Sequence, residues 1–134
     1  MNRAIIGVGS NIDPEKHIRE ARKLIADKFT LLRESEFIET APIGYTNQAN
    51  FINGAYLIQT PIEMLAVKRR LHIIEQALGR VRTENKFGPR IIDLDIVVWN
   101  DEIVDDDVYE RNFLKTSVLE LIPTLKSKLD SASS

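Results

Sequence analysis

The chain contains no cysteine. That excludes disulfides, thiolate metal sites and cysteine nucleophiles, and it gives no hint of a secreted scaffold. Histidine is nearly as scarce. Only His17 and His72 are present, with no third ligand in view to complete a zinc site. Neither sign of charge dominates: eighteen Lys and Arg stand against twenty Asp and Glu, a net charge of −2. Binding to a long nucleic acid through net charge alone is therefore not expected. Long apolar runs are also missing. A membrane-spanning helix needs about 20 mostly apolar residues, whereas Ala4–Val8 and Ile91–Trp99 are far shorter and the second carries two aspartates. Met1-Asn2-Arg3 leads straight into strand-like sequence without a signal-peptide cleavage pattern, so a cytoplasmic protein with no membrane partner is expected. No P-loop is present, so any phosphate would have to be held by side chains and metal rather than by a glycine cradle.

What remains is an ordinary globular composition. The 134 residues, 43% hydrophobic and 28% charged, suit one domain spanning 1–134 with one real core. Arg3–Val8 reads as a buried strand ended by Gly9-Ser10-Asn11. Asp13 as N-cap and Pro14 at the first position open a helix with an apolar stripe of Ile18, Ala21, Leu24 and Ile25, ending near Lys28. Phe29–Thr40 reads as a second strand, Ala41–Asn50 as a long connection and Phe51–Gln59 as a third strand. Thr60-Pro61-Ile62-Glu63 has the form of a capping box before a helix carrying Met64, Val67, Leu71, Ile74 and Leu78, closed by Gly79. Arg80–Arg90 is a second long loop, and Ile91–Trp99 a fourth strand. Asn100–Glu110 is acidic and expected to be irregular, and Thr116–Ile122 a short helix stopped by Pro123. The tail over residues 125–134, above all Asp130–Ser134, is expected to fray. The order strand, helix, strand, strand, helix, strand predicts an α+β protein of the ferredoxin-like βαββαβ type, an antiparallel sheet with both helices on one face. That scaffold serves many functions, so the chemistry must be sought in particular residues.

Asp93-Leu94-Asp95 is the most informative piece. Strand residues two apart face the same way, so Ile92, Leu94, Ile96 and Val98 are expected on the buried face and the two carboxylates together on the other. Paired carboxylates repel unless a cation lies between them or one is protonated. Two hard oxygen donors suit Mg²⁺, which completes its shell with water and substrate phosphates. The alternative is two solvated acids on an open strand face. Just upstream, Arg80, Arg82, Lys86 and Arg90 place four cations within eleven residues. Guanidinium forks beside a carboxylate pair are suited to a polyphosphate. The alternative there is a solvated basic loop. His72 and Glu75, three apart on the second helix, can share a face, either toward a nucleotide or as a surface pair. Phe51 and Asn53, together with the Thr40–Gly44 loop, could stack a flat heterocycle and read its edge, or could be core and turn residues.

The run Phe87-Gly88-Pro89-Arg90-Ile91-Ile92-Asp93-Leu94-Asp95-Ile96 resembles the signature of the 6-hydroxymethyl-7,8-dihydropterin pyrophosphokinases. Gly9-Ser10-Asn11, the Thr40–Gly44 loop, Phe51 with Asn53, and Gly79-Arg80-Val81-Arg82 follow that family's order, from residue 4 to about 104 and again over Arg111–Pro123. The resemblance implies Mg-dependent transfer of pyrophosphate from ATP to the hydroxymethyl group of a reduced pterin in folate biosynthesis, releasing AMP. It implies that Asp93 and Asp95 hold two Mg²⁺ ions and that Arg80 and Arg90 are catalytic. His72, Glu75, Arg82, Ile96 and Arg111 would belong to the nucleotide site. Thr40, Ala41, Ile43, Phe51, Asn53, Phe87 and Phe113 would surround the pterin. The sequence departs from the family at Phe51 (usually Tyr), Phe87 (usually Trp), His72 (usually Gln) and Ala41 (usually Pro). The largest departure follows Val104, where a longer ATP-contacting segment is usual. In its place Asp101–Glu110 carries six acids and no Lys, Arg or His, which should weaken binding of a tetra-anionic nucleotide. Three readings follow: an active pyrophosphokinase, a pterin-binding paralogue without that activity or with another phosphate donor, and an RNA-recognition module. The last conflicts with two acids on a central strand.

Overall fold

The computed structural model describes residues 1–80 and 88–133. The chain runs β1 (Asn2–Ser10), α1 (Pro14–Lys28), β2 (Thr30–Glu34), β3 (Ile38–Thr40), β4 (Phe51–Thr60), α2 (Met64–Ala77), β5 (Asp93–Trp99), β6 (Glu102–Ile103), α3 (Asp107–Glu110), α4 (Asn112–Leu121), a 3₁₀ turn (Pro123–Leu125) and α5 (Lys126–Ser133). Among the described residues the sheet has six strands, in the order β2-β4-β1-β5-β6, with β3 also pairing with β4. Every pairing is antiparallel. This is the α+β arrangement expected from the order of elements, with β1 at the centre.

Two apolar layers flank the sheet. Ala4, Ile6, Val8, Ile58 and Leu94 face one side, where they meet Ala21 and Ile25 of α1 and Val67, Leu71 and Ile74 of α2. Each Ile, Leu or Val among them contributes about 1.5–3 kcal/mol by leaving water. Ile5, Ala55, Leu57 and Val98 face the other side and are covered by Val108, Leu114, Val118, Leu121 and Leu129. The two helices read from sequence thus share one face, and the C-terminal helices close the other. Leu125 is 2% exposed and Leu129 0%. The tail is therefore not frayed from residue 125: Lys126–Ser133 is helical, and Leu125 and Leu129 dock it on that second layer, while Asp130 and Ser131 are exposed. Ser134 lies outside the described residues.

Several local expectations are corrected. Phe29–Thr40 is two strands. The break falls where Ser35 turns inward, its hydroxyl accepting the Ala55 N–H at 2.8 Å, and where the ring of Phe37 lies on Gly54, 2.5 Å from where a Cβ would stand. The capping box at Thr60–Glu63 does not form. Thr60 is the last residue of β4, Asn2 Nδ2 holds the Ile62 carbonyl at 2.8 Å, and α2 begins after Glu63. Asp13 does precede α1, but in the left-handed region (φ 44) and without a side-chain cap. Strand β5 begins at Asp93 rather than Ile91. Asn100–Glu110 is ordered as a tight β5–β6 hairpin, with Asn100 and Asp101 both at positive φ, followed by α3.

The most consequential correction lies within β5. Ile6 pairs with Ile96 but Ile5 pairs with Val98, so Val97 is an extra residue, a β-bulge. Alternation is reset there. Leu94 and Ile96 face α1 and α2 as expected, while Val97 and Val98 both pack in the second layer. Val98 thus joins the face that carries Asp93 and Asp95.

Candidate active site

A pocket of about 430 Å³ opens on the second face of the sheet, beside the first turn of α4. That volume falls within the range of small-molecule sites. Its floor is β1 and β5. Asp93 lies opposite Gly9 and Asp95 opposite Gly7, so the strand beside the acids carries no side chains there and the carboxylates stand clear. Gly9 also makes room for its other neighbour: a Cβ there would lie 2.7 Å from Asn53 Oδ1.

One wall is made of groups suited to a flat heterocycle. Thr40 ends β3, Ala41 and Ile43 follow it, and Phe51 and Asn53 open β4. Asn53 Nδ2 donates to Thr40 Oγ1 at 2.5 Å, which fixes the amide across the sheet. Phe113, at the start of α4, faces the same space. The opposite wall is charged. Arg90, Asp93, Asp95 and Arg111 line it, and Asp105 and Asp107 join them at the rim. Among the described lining residues, four carboxylates face two guanidinium groups. Arg111 Nε lies 3.7 Å from Asp107, one turn earlier.

The acids are held unequally. Glu75 of α2 is buried behind the strand, 4% exposed. Its carboxylate accepts the Leu94 N–H at 2.9 Å and pairs with Arg80 Nη1. Burial nevertheless raises its pKa, against the pull of those two donors. The same Arg80 Nη1 donates to Asp93 Oδ1 at 3.0 Å. Arg80 therefore ties α2 to the metal-type carboxylate, with its Nε buried and unpartnered among the described residues. Asp95 makes no such ion pair among the described residues. Desolvation first, then the carboxylates of Asp93, Glu75 and Asp105, push its pKa up to about 7. A carboxyl poised in that way beside a second carboxylate is what a bound divalent cation would relieve, and the all-oxygen donor set fits Mg²⁺.

Of the residues expected from sequence, Thr40, Ala41, Ile43, Phe51, Asn53, Arg90, Asp93, Asp95, Arg111 and Phe113 are brought to this one pocket. Arg80 stands immediately behind it. Glu75 is neither a surface residue nor a pocket-lining one. His72, half-buried on α2, is also outside the lining. Ile96 packs its side chain on the opposite face. Arg82 and Phe87, with Lys86, lie outside the described residues. Sequence reasoning gives Gly9 only a place in a strand-ending turn and in the family-ordered Gly9-Ser10-Asn11 run, and gives Gly7 none; both are floor residues within β1, and their alternation in an apolar strand was the available signal. It also missed that Asp105 and Asp107 reach the rim, although their acidity was plain.

The comparisons with known proteins agree with this geometry. The model of the 7,8-dihydro-6-hydroxymethylpterin-pyrophosphokinase family matches residues 5–123. A 2-amino-4-hydroxy-6-hydroxymethyldihydropteridine pyrophosphokinase of Bacillus subtilis (strain 168) is 36% identical, over 98% of this chain and 84% of that protein. The protein of the same name from Methylorubrum extorquens is 34% identical, over 93% of this chain and 85% of its own. The folic acid synthesis protein fol1 of Schizosaccharomyces pombe is 35% identical over 91% of this chain, which corresponds to 18% of that longer protein. Sequence signature, sheet order and family match converge: the chain belongs to the 7,8-dihydro-6-hydroxymethylpterin-pyrophosphokinase family and is a pyrophosphokinase.

Proposed function

We propose that this protein transfers pyrophosphate from MgATP to 6-hydroxymethyl-7,8-dihydropterin, releasing AMP and the pterin diphosphate. One observation carries the reading: a single pocket sets an aromatic and amide wall against a wall of arginines and paired aspartates. The two substrates differ in the same way, one a flat polar heterocycle and the other a polyanion.

The chain's own part in the reaction is positioning and charge. Phe51 and Phe113 stack the pterin, and Asn53, its orientation fixed by Thr40, reads the ring edge. The hydroxymethyl group then points toward the charged wall. A primary alcohol is a poor nucleophile, so alignment with the β-phosphorus of ATP supplies much of the acceleration. Arg90 and Arg111 neutralise phosphate oxygens as charge shifts toward the departing AMP. Arg80, fixed between Glu75 and Asp93, holds the Asp93 carboxylate in place. Asp93 and Asp95 are the residues that would hold Mg²⁺, two ions with ATP present; bound there, the metal offsets phosphate charge and orients the polyphosphate. Asp105 and Asp107 at the rim oppose an incoming nucleotide and should lower its affinity relative to relatives with a longer segment after Val104.

The test is turnover. The protein is incubated with MgATP and the reduced pterin, and AMP and pterin diphosphate are separated by chromatography. Equal formation of both products supports the reading. Pterin binding by calorimetry with no AMP formed overturns it, in favour of a binding role or another phosphate donor.

A further inference from the structure

Asn11 follows β1 and looks in sequence like a turn residue, yet it is only 7% exposed. Its side chain is committed in two directions. Oδ1 accepts the Arg90 N–H at 2.8 Å. Nδ2 donates to Gln48 Oε1 at 2.7 Å and to the Ala49 carbonyl at 3.0 Å. The backbone adds a further bond, from the Asn11 N–H to the Arg90 carbonyl at 3.0 Å. Arg90 is thus gripped at its N–H and at its C=O by one residue. On the other side, Gln48 Nε2 reaches the Tyr45 carbonyl at 2.6 Å and the Tyr45 N–H reaches the Ile43 carbonyl at 3.2 Å. A continuous path of hydrogen bonds therefore runs from Ile43, on the heterocycle wall, through Gln48 and Asn11 to Arg90, on the phosphate wall.

We propose that Asn11 is a positioning residue for catalysis: it sets Arg90 in register with the 41–50 loop, so that the two walls of the pocket are held as one unit. The inference rests on the pyrophosphokinase reading of this pocket and assigns a role that the site residues themselves do not carry. The chemistry requires an amide. An asparagine offers two donors and an acceptor on one short side chain, and all three functions are in use here. An aspartate would keep the acceptor for the Arg90 N–H but would face Gln48 Oε1 and the Ala49 carbonyl with no donor.

Three variants separate the two side-chain arms: Asn11→Ala cuts both and leaves only the backbone bond to the Arg90 carbonyl, Asn11→Asp cuts the loop arm, and Gln48→Ala cuts the loop arm without touching Asn11. For Asn11→Ala the expectation is a kcat lower by on the order of tenfold and a pterin KM higher by a similar factor, with MgATP KM little changed. Asn11→Asp should recover most of kcat but not the pterin KM. Gln48→Ala should raise the pterin KM and leave kcat within about twofold. Hydrogen exchange reads the same link without turnover. Exchange should rise over both 43–50 and 88–91 in Asn11→Ala, but over 43–50 only in Gln48→Ala. The inference is overturned if Asn11→Asp matches Asn11→Ala in kcat, or if exchange rises equally in both segments for Gln48→Ala. A wild-type protein without pyrophosphate transfer would overturn the activity reading alone, and the exchange pattern would still decide the link.

Discussion

Replacing Asp95 by Asn should make the metal-free protein more stable while it destroys the site. Burial and the carboxylates of Asp93, Glu75 and Asp105 hold the Asp95 pKa at about 7, against an ordinary 3.8. The folded state thus binds a proton that the unfolded state has released, which costs stability as pH rises. Below about pH 4 both states are protonated and nothing is lost. Between about pH 4 and pH 7 the penalty grows, and above pH 7 it is constant. At about 1.36 kcal/mol per unit, the whole shift corresponds to roughly 4 kcal/mol. Asp95 loses hydration against the pocket floor but keeps one side on the open pocket, and screening there reduces the figure to about 1–2 kcal/mol. The amide introduced by Asp95→Asn carries no charge to penalise, so thermal unfolding in the presence of a chelator should show a Tm higher by about 3–8 °C at pH 7.5. The gap should narrow steadily toward pH 4.5. Added Mg²⁺ should then stabilise the wild type and not the variant. A variant no more stable than wild type at pH 7.5, or a gap that does not change between pH 5 and pH 7, would refute the reasoning.

Substitutions at three other positions test separate parts of the structure. Glu75→Ala leaves Arg80 and the Leu94 N–H without their buried acceptor and should cost about 3–5 kcal/mol in urea unfolding, whereas Glu75→Gln, which keeps an acceptor for Leu94, should cost less. Gly9→Ala puts a methyl group 2.7 Å from Asn53 Oδ1; the displaced amide should raise the pterin KM by on the order of tenfold, with MgATP KM unchanged in the same assay. Leu129→Ala opens a cavity under α5, where the side chain is 0% exposed, and should cost about 2–4 kcal/mol by denaturant titration. A frayed tail would give no change.

The parts of the fold that were legible are those set by periodicity. The apolar spacing in α1 and α2 marks which face meets the sheet, and alternation in Asp93-Leu94-Asp95 places both acids on one side. The Phe87–Ile96 run carried the family. What was not legible depends on partners far along the chain. Thr60 looks like an N-cap until β1 extends to pair with it, Asn2 opposite Thr60. Ser35 breaks a strand because Ala55, twenty residues on, needs an acceptor. Glu75 has the spacing of a surface acid, but the chain brings Arg80 and the Leu94 N–H to it. Leu129 stands near the end of a polar tail, and only the assembled layer of α3 and α4 gives it something to bury against. Asn11 is a turn former by type, and its reach to Gln48 and Arg90 exists only when the two loops are folded back upon it.

The bulge at Val97 gives the sheet a reading frame of its own. Upstream of it β5 alternates in one phase, and downstream in the other, so that pocket acids and dry core residues come to lie along one side of a single strand. Removing residue 97 would put Val98 directly after Ile96, still opposite Ile5, and restore plain alternation, so that Val98 and Trp99 would keep the sides they have and Asp93 and Asp95 would stay where they are. The bulge therefore adds a side chain rather than moving one: it lets a single strand set two consecutive residues, Val97 and Val98, in the same dry layer beneath the pocket.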